Sequence, residues 1–349
     1  MSTFWHGKRV FVTGINGFIG GNLVEALVNV GANVHGLVRN NNQDSYLYFE
    51  GLNKKINIIQ GDLTDLQLLK RVISEEQIQV VFHLAAQVEV GLARENPFVT
   101  WETNIRGTYN LLEAIRENGQ YIESVVVAST DKSYGSYPPE KMPYKEDYPL
   151  IPTFPYDVSK ACGDMIARTY ATDLFSLPIV VTRFCNIYGP GQLNFSAVIP
   201  DATRSALGYT KFIPRSDGSH TRDFIYMGDV ADLYLKIGEQ LAGRKEIAGE
   251  VFNAGTNHPQ QVRDVIQAIY KSLENMNDYK EVEAQFVGKK TQGEIDCQFM
   301  DYEKVHKYFG WSPQTSFETG IRNTIAWYKK FLLETEGAPS NHDCDEFNG

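Results

Sequence analysis

Short runs of apolar residues alternate along the first half of the chain with segments in which apolar residues recur at helical spacing. The apolar runs cover residues 8–13, 32–38, 56–59, 80–84, 124–128 and 179–183. The helical spacing is clearest over residues 66–74 and 104–117. Strands that alternate with helices in this way build a parallel sheet with helices on both faces. The pattern therefore predicts an α/β fold with a doubly wound parallel sheet of the Rossmann type.

The pattern becomes less regular after residue 188. Residues 189–333 divide into loops, short helices and mixed segments, which indicates a smaller α/β lobe that is a candidate for substrate binding. Two short apolar runs in this lobe, 223–226 and 251–253, are candidates to rejoin the first sheet. Residues 334–349 are polar and rich in small side chains, which predicts a mobile tail.

Composition and charge narrow the range of partners. The chain has 349 residues, of which 42% are hydrophobic, and its formal net charge is −10. This balance is typical of a soluble globular protein and argues against nucleic acid or an anionic membrane as the main partner. No apolar run reaches transmembrane length, and the first residues contain no apolar leader segment.

Cysteine and histidine positions indicate the compartment and the absence of a metal. The four cysteines are scattered without a CxxC pair, and the seven histidines show no metal-ligand spacing. A disulfide framework is therefore not expected, and a reducing environment fits best. We expect a cytoplasmic protein that binds no metal.

Three glycines connect the first predicted strand to the first predicted helix. Gly14, Gly17 and Gly20 form a GxxGxxG pattern, with Phe18 and Ile19 between the last two. Glycines at these positions let the backbone turn tightly and approach a pyrophosphate, which lies at the positive end of the helix dipole. All five residues are candidates to bind a dinucleotide, and close packing of the loop is the alternative.

The ends of the next strands bear on the choice of nicotinamide cofactor. Arg39 follows the second strand, where an acidic residue would bind the ribose 2′-hydroxyl and an arginine accommodates a 2′-phosphate. This favours NADP over NAD, with a surface charge as the alternative. Asp62 and Leu63 are candidates to flank the adenine, and Leu84-Ala85-Ala86-Gln87 to line the nicotinamide side or simply to pack at a strand end. We therefore expect residues 1–188 to form an NAD(P)-binding domain.

Two polar clusters supply candidate catalytic groups. Thr130-Asp131-Lys132 comes shortly after the fifth apolar run, and Tyr156 and Lys160 are four residues apart, on one face if the segment is helical. An ammonium close to a phenol favours the phenolate, which is a base. The alternatives are a solvated helix face for the second cluster and a salt bridge between Asp131 and Lys132 for the first.

These motifs occur in the order found in a known family. Over residues 4–333 the chain resembles the NAD(P)-dependent epimerase/dehydratase family. The GxxGxxG spacing is typical of the extended short-chain dehydrogenases/reductases, to which this family belongs. The residues that carry the resemblance are Gly14, Gly17, Gly20, Asp62, His83-Leu84-Ala85-Ala86, Asn104, Thr130, Tyr156 and Lys160. Segments 183–190 and 222–231 are similar to its substrate-lobe motifs.

Within that family the chain most resembles CDP-glucose 4,6-dehydratases. Residues 4–14, the Thr130-Asp131-Lys132 triplet and Ile199-Pro200-Asp201 are similar to that group. Segment 222–230 is closer to generic epimerases and to dTDP-glucose dehydratases, and many dehydratases carry Glu at the position of Lys132. The nucleotide base therefore stays open among CDP, dTDP, UDP and GDP.

The resemblance implies conversion of a nucleotide-diphosphate hexose to its 4-keto-6-deoxy form. Tyr156, aided by Lys160 and Thr130, would take the O4 proton while NADP or NAD, tightly bound and recycled, oxidises C4. Asp131 would be the acid and Lys132 the base in the loss of water across C5 and C6. A Lys132 that kept its proton would instead orient water or polarise the leaving group.

The resemblance also implies binding residues and an assembly. Asn104 would contact the cofactor, and Asn186, Arg215 and Arg222 the substrate pyrophosphate, since a guanidinium matches phosphate oxygens. A surface charge is the alternative for each arginine. A homodimer would form through helix 104–117 and the helix that carries Tyr156.

Three other functions remain open from the sequence, one of which is that of the decarboxylating or reducing relatives of the same fold. A nucleotide-sugar 4-epimerase of the same fold needs Thr130, Tyr156 and Lys160 but has no need of Asp131 and Lys132. A cofactor-sensing regulator would keep the fold without catalysis, and the intact Tyr156 and Lys160 argue against it.

Overall fold

Seven strands form the central sheet of the molecule. The computed structural model describes residues 3–286 and 295–339. The strands of this part of the chain are β1 (Arg9–Thr13), β2 (Asn33–Val38), β3 (Asn57–Gln60), β4 (Val80–His83), β5 (Ser124–Ala128), β6 (Ile179–Phe184), β7 (Asn186–Tyr188), β8 (Thr221–Arg222), β9 (Phe224–Tyr226), β10 (Val251–Ala254), β11 (Gln260–Gln261) and β12 (Cys297–Gln298). Its α-helices are α1 (Phe18–Asn29), α2 (Tyr46–Phe49), α3 (Leu66–Glu75), α4 (Val90–Glu95), α5 (Pro97–Trp101), α6 (Gly107–Asn118), α7 (Pro155–Tyr170), α8 (Val198–Ala206), α9 (Met227–Gly243), α10 (Val262–Ser272), α11 (Met276–Glu283), α12 (Glu303–Phe309) and α13 (Phe317–Glu336).

The central sheet is parallel throughout and has the order β10-β6-β5-β4-β1-β2-β3. Val10 and Val12 of β1 pack into one apolar cluster and Phe11 into another, because successive side chains of a strand point to opposite faces. Both faces are thus covered, as strands with continuous apolar runs require. The predicted doubly wound α/β fold is confirmed. Within the described residues, no helix has the length and apolar character needed to cross a membrane.

The second lobe contains two small sheets and its own apolar cluster. Strand β8 lies between β11 and β12, and β7 pairs in parallel with β9. The run 251–253 becomes β10 and joins the central sheet beside β6, as predicted. The run 223–226 does not join it, so that part of the prediction is wrong: within residues 3–286 and 295–339, β9 pairs only with the short strand β7.

Two predicted boundaries differ from the structure. The segment predicted as a helix from residue 104 begins with a π-helical turn over Glu102–Arg106 and continues as α6. Helix α13 extends to Glu336, so the predicted tail from 334 begins inside a helix. Apolar side chains of the last turns of α13, including Phe331 and Leu332, are buried and hold it in place. Residues 340–349 of the predicted tail lie outside the described residues.

A buried ion pair joins helix α7 to strand β6. The Arg183 guanidinium donates from Nε to Asp164 Oδ2 at 2.7 Å and from Nη2 to Asp164 Oδ1 at 2.9 Å. Their side chains are 1% and 0% exposed. Arg183 also donates to the Tyr134 hydroxyl at 2.8 Å and lies 4.7 Å from the centre of that ring. Arg183, which lies in a segment matched to a substrate-lobe motif, is therefore part of the scaffold.

We expect Asp164→Asn to lower the free energy of unfolding by about 3–5 kcal/mol, because the Arg183 charge would remain buried without its partner. Urea unfolding followed by circular dichroism measures the change. The matched control is Asp232→Asn, which removes an exposed pair with Lys236 at 3.8 Å and should cost roughly 0.5 kcal/mol or less. A loss at position 164 no larger than that of the control would contradict the scaffold role.

Candidate active site

The glycine loop lies at the carboxyl end of β1. Gly14 has φ +81°, and a Cβ there would come within 2.8 Å of the Ala85 backbone. A Cβ on Gly20 would lie 2.2 Å from the Gly14 carbonyl oxygen. Helix α1 then begins at Phe18 with no side chain capping its amides. The loop is thus tightly packed, and its helix end is suited to an anion such as a pyrophosphate.

A chain of hydrogen bonds fixes the segment opposite the glycine loop. Thr13 Oγ1 accepts from the backbone amides of Leu84 and Ala85, both at 3.2 Å, and lies 2.9 Å from His83 Nδ1. His83 Nε2 lies 2.9 Å from Thr108 Oγ1. The sequence indicated Leu84-Ala85-Ala86-Gln87 as a cofactor segment but gave no role to Thr13 or Thr108. The contact of Thr13 depends on β1 and β4 being neighbours, and that of Thr108 depends on helix α6 lying next to His83 of β4, neither of which is a local sequence pattern.

Asn104 supports this segment from the other side. Its Oδ1 accepts from the Gln87 amide at 2.7 Å, and its Nδ2 donates to the Gln87 carbonyl at 3.0 Å and to Ser159 Oγ at 2.8 Å. The Ser159 hydroxyl donates to the carbonyl of Tyr156 at 2.6 Å. The Asn104 side chain therefore connects the cofactor segment to helix α7, a positioning contact that the resemblance did not indicate.

Arg39 and Asp62 line a surface cleft at the ends of β2 and β3, together with Asn40 and Gly61. Arg39 Nε is 3.9 Å from Asp62 Oδ2, and Asp62 Oδ1 accepts from the amide and hydroxyl of Thr64, both at 2.8 Å. Leu63, by contrast, is buried in the core. Its side chain packs in the core against Gly107 of α6 rather than lining the cleft.

The structure brings together all five candidate catalytic residues. Thr130, Asp131 and Lys132 lie where β5 leads into the 3₁₀ turn Asp131–Tyr134, and this turn contacts the start of α7 with Tyr156 and Lys160. Thr130 Oγ1 donates to Asp131 Oδ1 at 3.0 Å, and Lys160 Nζ donates to the Ala128 carbonyl at 2.6 Å.

Burial controls the protonation of the Tyr156–Lys160 pair. It raises the pKa of Tyr156, as do the nearby charges of Asp157 and Asp131, while hydrogen bonding to Thr130 lowers it. Burial also lowers the pKa of Lys160 to about 8. Burial is the largest influence on the pKa of Tyr156, and the Lys160 side chain is directed to the Ala128 carbonyl.

Asp131 is a buried carboxyl group with an incomplete set of partners. Its Oδ2 has no hydrogen-bond partner within the described residues. Burial raises the pKa of Asp131 to about 6, while the charges of Lys132 and Arg222 and hydrogen bonding to Thr130 lower it. In the same part of the chain, no ion pair within 4.0 Å joins Asp131 to Lys132, so the strand-end salt bridge is not formed. Asp131 is suited to donate a proton near neutral pH.

The three candidate substrate residues lie on two short strands and a loop of the chain. Arg222, on β8, acts electrostatically on Asp131 and donates to the Thr221 carbonyl at 2.9 Å. Asn186 Nδ2 donates to the Asp223 carbonyl at 3.1 Å, which places it beside the same strand region. Arg215 lies on a loop and donates to the Ser196 carbonyl at 3.0 Å. Within the described residues, no cluster of His, Cys, Asp and Glu is arranged to hold a metal.

The sequence reading missed a second carboxyl group in the site. Asp157 follows Tyr156 in the first turn of α7 and is buried. Burial raises the pKa of Asp157 to about 6, and the charges of Lys132 and Arg94 lower it. An acidic residue directly after the candidate tyrosine was the available signal, but its burial depends on packing against the turn and α4.

The parallel sheet, the glycine loop and the Tyr156–Lys160 pair define an extended short-chain dehydrogenase/reductase. The sequence model of the GDP-mannose 4,6 dehydratase family matches residues 11–324, and the chain belongs to that family. The recognition made from the motifs is confirmed at this level.

Relatives of the chain include both dehydratases and epimerases. A dTDP-D-glucose 4,6-dehydratase of Mus musculus is 31% identical over 329 residues, which are 93% of this chain and 89% of that protein. A UDP-glucuronate 4-epimerase of Thermodesulfobacterium geofontis is 30% identical over 344 residues, covering 91% of this chain and 95% of that protein. The crystal structure of a dTDP-glucose 4,6-dehydratase from Bacillus anthracis in complex with NAD has a TM-score of 0.80 at 28% identity, covering 93% and 98% of the two chains.

His83 should make stability depend on pH. Burial lowers the pKa of His83 from 6.5 to about 3, so below pH 6.5 the unfolded chain takes up a proton that the folded protein excludes. Relative to His83→Gln, wild-type protein should therefore lose about 2 kcal/mol of unfolding free energy between pH 6.5 and pH 5. Urea unfolding at both pH values measures this. The exposed His258→Gln serves as the control, and an unchanged difference for His83→Gln would contradict the prediction.

Proposed function

We propose that this protein is a nucleotide-sugar 4,6-dehydratase. The observation that carries the proposal is Asp131, a buried carboxyl group beside Tyr156 and Lys132 with a pKa raised to about 6 and with one oxygen that has no hydrogen-bond partner among the described residues. A 4-epimerase needs no acid at this place, whereas the elimination of water needs one for O6. The name of the Mus musculus relative supports the same class.

The residues of the loop fit a nicotinamide dinucleotide, which we propose as the recycled cofactor. Two features support a loop built around a ligand: the positive φ of Gly14, and the buried Oδ1 of Asn16, which has no hydrogen-bond partner in the part of the chain that the structure describes. Gly14, Gly17, Phe18, Ile19 and Gly20 would hold the pyrophosphate, and residues 84–87 the nicotinamide end. When bound, the cofactor supplies the oxidation at C4 and the matching reduction at C6.

The exposed Arg39 in its cleft favours NADP, whereas the Bacillus anthracis relative was crystallised with NAD. Arg39 can pair with a 2′-phosphate, and its present partner Asp62 can accept from a ribose hydroxyl. From these residues we propose NADP as the cofactor. A preference for NAD is the alternative outcome of the cofactor comparison below.

We propose that Tyr156 takes the O4 proton and that Thr130 orients the same oxygen. Because burial raises the pKa of Tyr156, the tyrosinate has to form with the cofactor and substrate in place. Lys160 fixes the end of β5 through the Ala128 carbonyl and adds positive charge to the same site. Asn104 fixes the position of Tyr156 through Ser159, whose hydroxyl accepts from Asn104 and donates to the Tyr156 carbonyl.

Asp131 then gives its proton to O6. The charge of Arg222 lowers the pKa of Asp131 in the free protein. A substrate pyrophosphate on Arg222 and Asn186 would compensate that charge, so the pKa of Asp131 should rise when substrate binds. The C5 proton leaves on the side of Lys132, the residue to which the family resemblance assigns the base.

For the nucleotide we propose CDP first. Support comes from residues 4–14 and from the Thr130-Asp131-Lys132 triplet, which resemble those of CDP-glucose 4,6-dehydratases. The Mus musculus and Bacillus anthracis relatives are named for dTDP-glucose instead. The nucleotide base of the substrate is therefore varied in the assay described below.

We propose that a second copy of the chain covers an apolar surface formed by α4 to α7. Phe98 is 65% exposed there, and Leu92, Trp101, Tyr109 and Met165 are exposed beside it. Large apolar side chains grouped on one surface mark an interaction site. They lie on α6 and α7 or on the short helices that pack against them, where the family resemblance places a homodimer.

A reducing compartment, the cytoplasm, is proposed from the thiols. Cys162, Cys185 and Cys297 are free cysteines in the described part of the chain. Free thiols persist where disulfides are kept reduced.

Incubation with CDP-, dTDP-, UDP- and GDP-hexoses, each with NAD and with NADP, tests the function. The product should be lighter by one water with no net reduction of cofactor, as followed by mass spectrometry and absorbance. Asp131→Asn should slow water loss by about 10²–10⁴-fold while C4 oxidation persists. The exposed Asp173→Asn is the control. A product of unchanged mass from wild-type protein would favour the 4-epimerase.

Charges placed on the apolar surface should separate the copies. Phe98→Glu combined with Met165→Glu should convert a dimer to a monomer, because charged side chains cannot be buried at that interface without partners. Sedimentation velocity measures the mass. Leu174→Glu, at a site that is 76% exposed outside this surface, is the control. A wild-type monomer at micromolar concentration would disprove the assembly.

A further inference from the structure

Asp223 is a buried carboxylate that the proposed mechanism does not use. It lies between β8 and β9 and is 0% exposed. Its Oδ2 accepts from the backbone amides of Thr256 at 2.9 Å and of Asn257 at 3.2 Å, and its Oδ1 accepts from the Thr256 hydroxyl. A buried carboxylate is costly to the fold unless hydrogen bonds compensate it. Here donors of the loop that follows β10 provide that compensation.

The loop after β10 is shaped to reach this carboxylate. A Cβ on Gly255 would overlap Asp223 Oδ2 and would lie 2.7 Å from the Met300 carbonyl oxygen. Asn257 has φ +55°, in the left-handed region, and its amide also donates to the Met300 carbonyl at 3.1 Å. A backbone that approaches so closely requires a glycine at position 255. The contact between the loop and Asp223 is therefore specific and leaves no room for a side chain between them.

The two residues proposed to hold the pyrophosphate are supported by Asp223. Arg222 directly precedes it, and the Arg222 backbone is held between β11 and β12. Asn186 donates to the Asp223 carbonyl from its backbone amide at 3.2 Å and from Nδ2 at 3.1 Å. A side-chain amide nitrogen carries two protons, so one can hold Asn186 in place while the other donates to a phosphate oxygen.

The segment that binds the Asp223 carboxylate also contacts the candidate catalytic turn. Asn253, in β10, is buried, and its Oδ1 accepts from the Tyr134 hydroxyl at 2.8 Å. Tyr134 is the last residue of the turn Asp131–Tyr134. The segment that starts at Asn253 thus meets this turn at one end and the Asp223 carboxylate at the other. It sets the position of Arg222 relative to the turn.

On the basis of the proposed dehydratase function, we propose that Asp223 is a positioning residue, whose carboxylate fixes Arg222 and Asn186 where they hold the substrate pyrophosphate. The pyrophosphate keeps its bonds and its charge throughout the reaction. Loss of this support therefore weakens binding of the substrate and of the transition state equally. A uniform loss of binding raises KM and leaves kcat unchanged.

Steady-state kinetics and titration calorimetry with CDP, dTDP, UDP and GDP test the assignment. Asp223→Ala should raise the KM of the sugar nucleotide and the Kd of its nucleoside diphosphate by about 10-fold or more, with kcat within about 3-fold of wild type. A change in kcat alone would contradict the positioning role.

Asp229→Ala is the matched control. Asp229 is also a buried carboxylate that accepts two backbone amides, from Gln314 at 3.1 Å and Thr315 at 3.0 Å, but it holds the start of α9 to the segment before α13. Its loss should lower the melting temperature and leave KM and Kd within about 2-fold of wild type.

Gly255→Ala provides a second measurement in case Asp223→Ala fails to fold. It keeps the carboxylate but displaces it from the loop, so KM and Kd should rise in the same way. Thermal unfolding and the Kd of the nicotinamide cofactor confirm that each variant folds. Wild-type KM and Kd in either folded variant, in a protein that releases water, would overturn the positioning role and leave the proposed function intact. Diphosphate binding that depends on Asp223, without water loss from any sugar nucleotide, would reject the function and keep the positioning role.

Discussion

The arrangement of the candidate site depends on the buried ion pair between Arg183 and Asp164. Asp164 is on the same helix as Tyr156, and Arg183 ends the strand beside β5, from which the catalytic turn begins. Through its contact with Tyr134, the guanidinium also holds that turn. An ion pair that is buried away from water is rigid, because breaking its hydrogen bonds would leave an uncompensated charge in the core. This rigidity fixes helix α7 and the turn Asp131–Tyr134 relative to each other.

The same exclusion of water sets the chemistry of the site. Burial raises the pKa of Asp131 and Asp157, and it lowers the pKa of Lys160 and His83. Every one of these shifts favours a neutral group, so the charge that remains is decided by local neighbours. Arg222 is one such neighbour of Asp131. Under the proposed function, a substrate pyrophosphate on Arg222 would neutralise its charge and so couple the protonation of Asp131 to substrate binding.

How much the sequence predicts depends on the range of the interactions. The strands of the central sheet follow from continuous apolar runs, and the glycine loop from Gly14 and its successors, because both are local patterns. The predictions that failed concern contacts between segments that are distant in the sequence. Whether a short run joins the large sheet, as β10 does and β9 does not, is decided by which strand edge is open. The support given by Asn104, and the burial of Asp157, depend on packing between distant segments.

The site residues show the same difference: the sequence predicts which residues lie together, but not how burial changes their pKa. The spacing of Tyr156 and Lys160 identified them correctly as neighbours, yet the pKa of the phenol moves opposite to the simple expectation because desolvation exceeds the effect of one ammonium. Lys132 is a second residue whose role cannot be predicted from its residue type alone. Read alone, a lysine in place of a carboxylate weakens the case for elimination. In the folded chain the charge of Lys132 lowers the pKa of both Asp131 and Asp157, so this lysine influences the protonation of the two carboxyl groups near it.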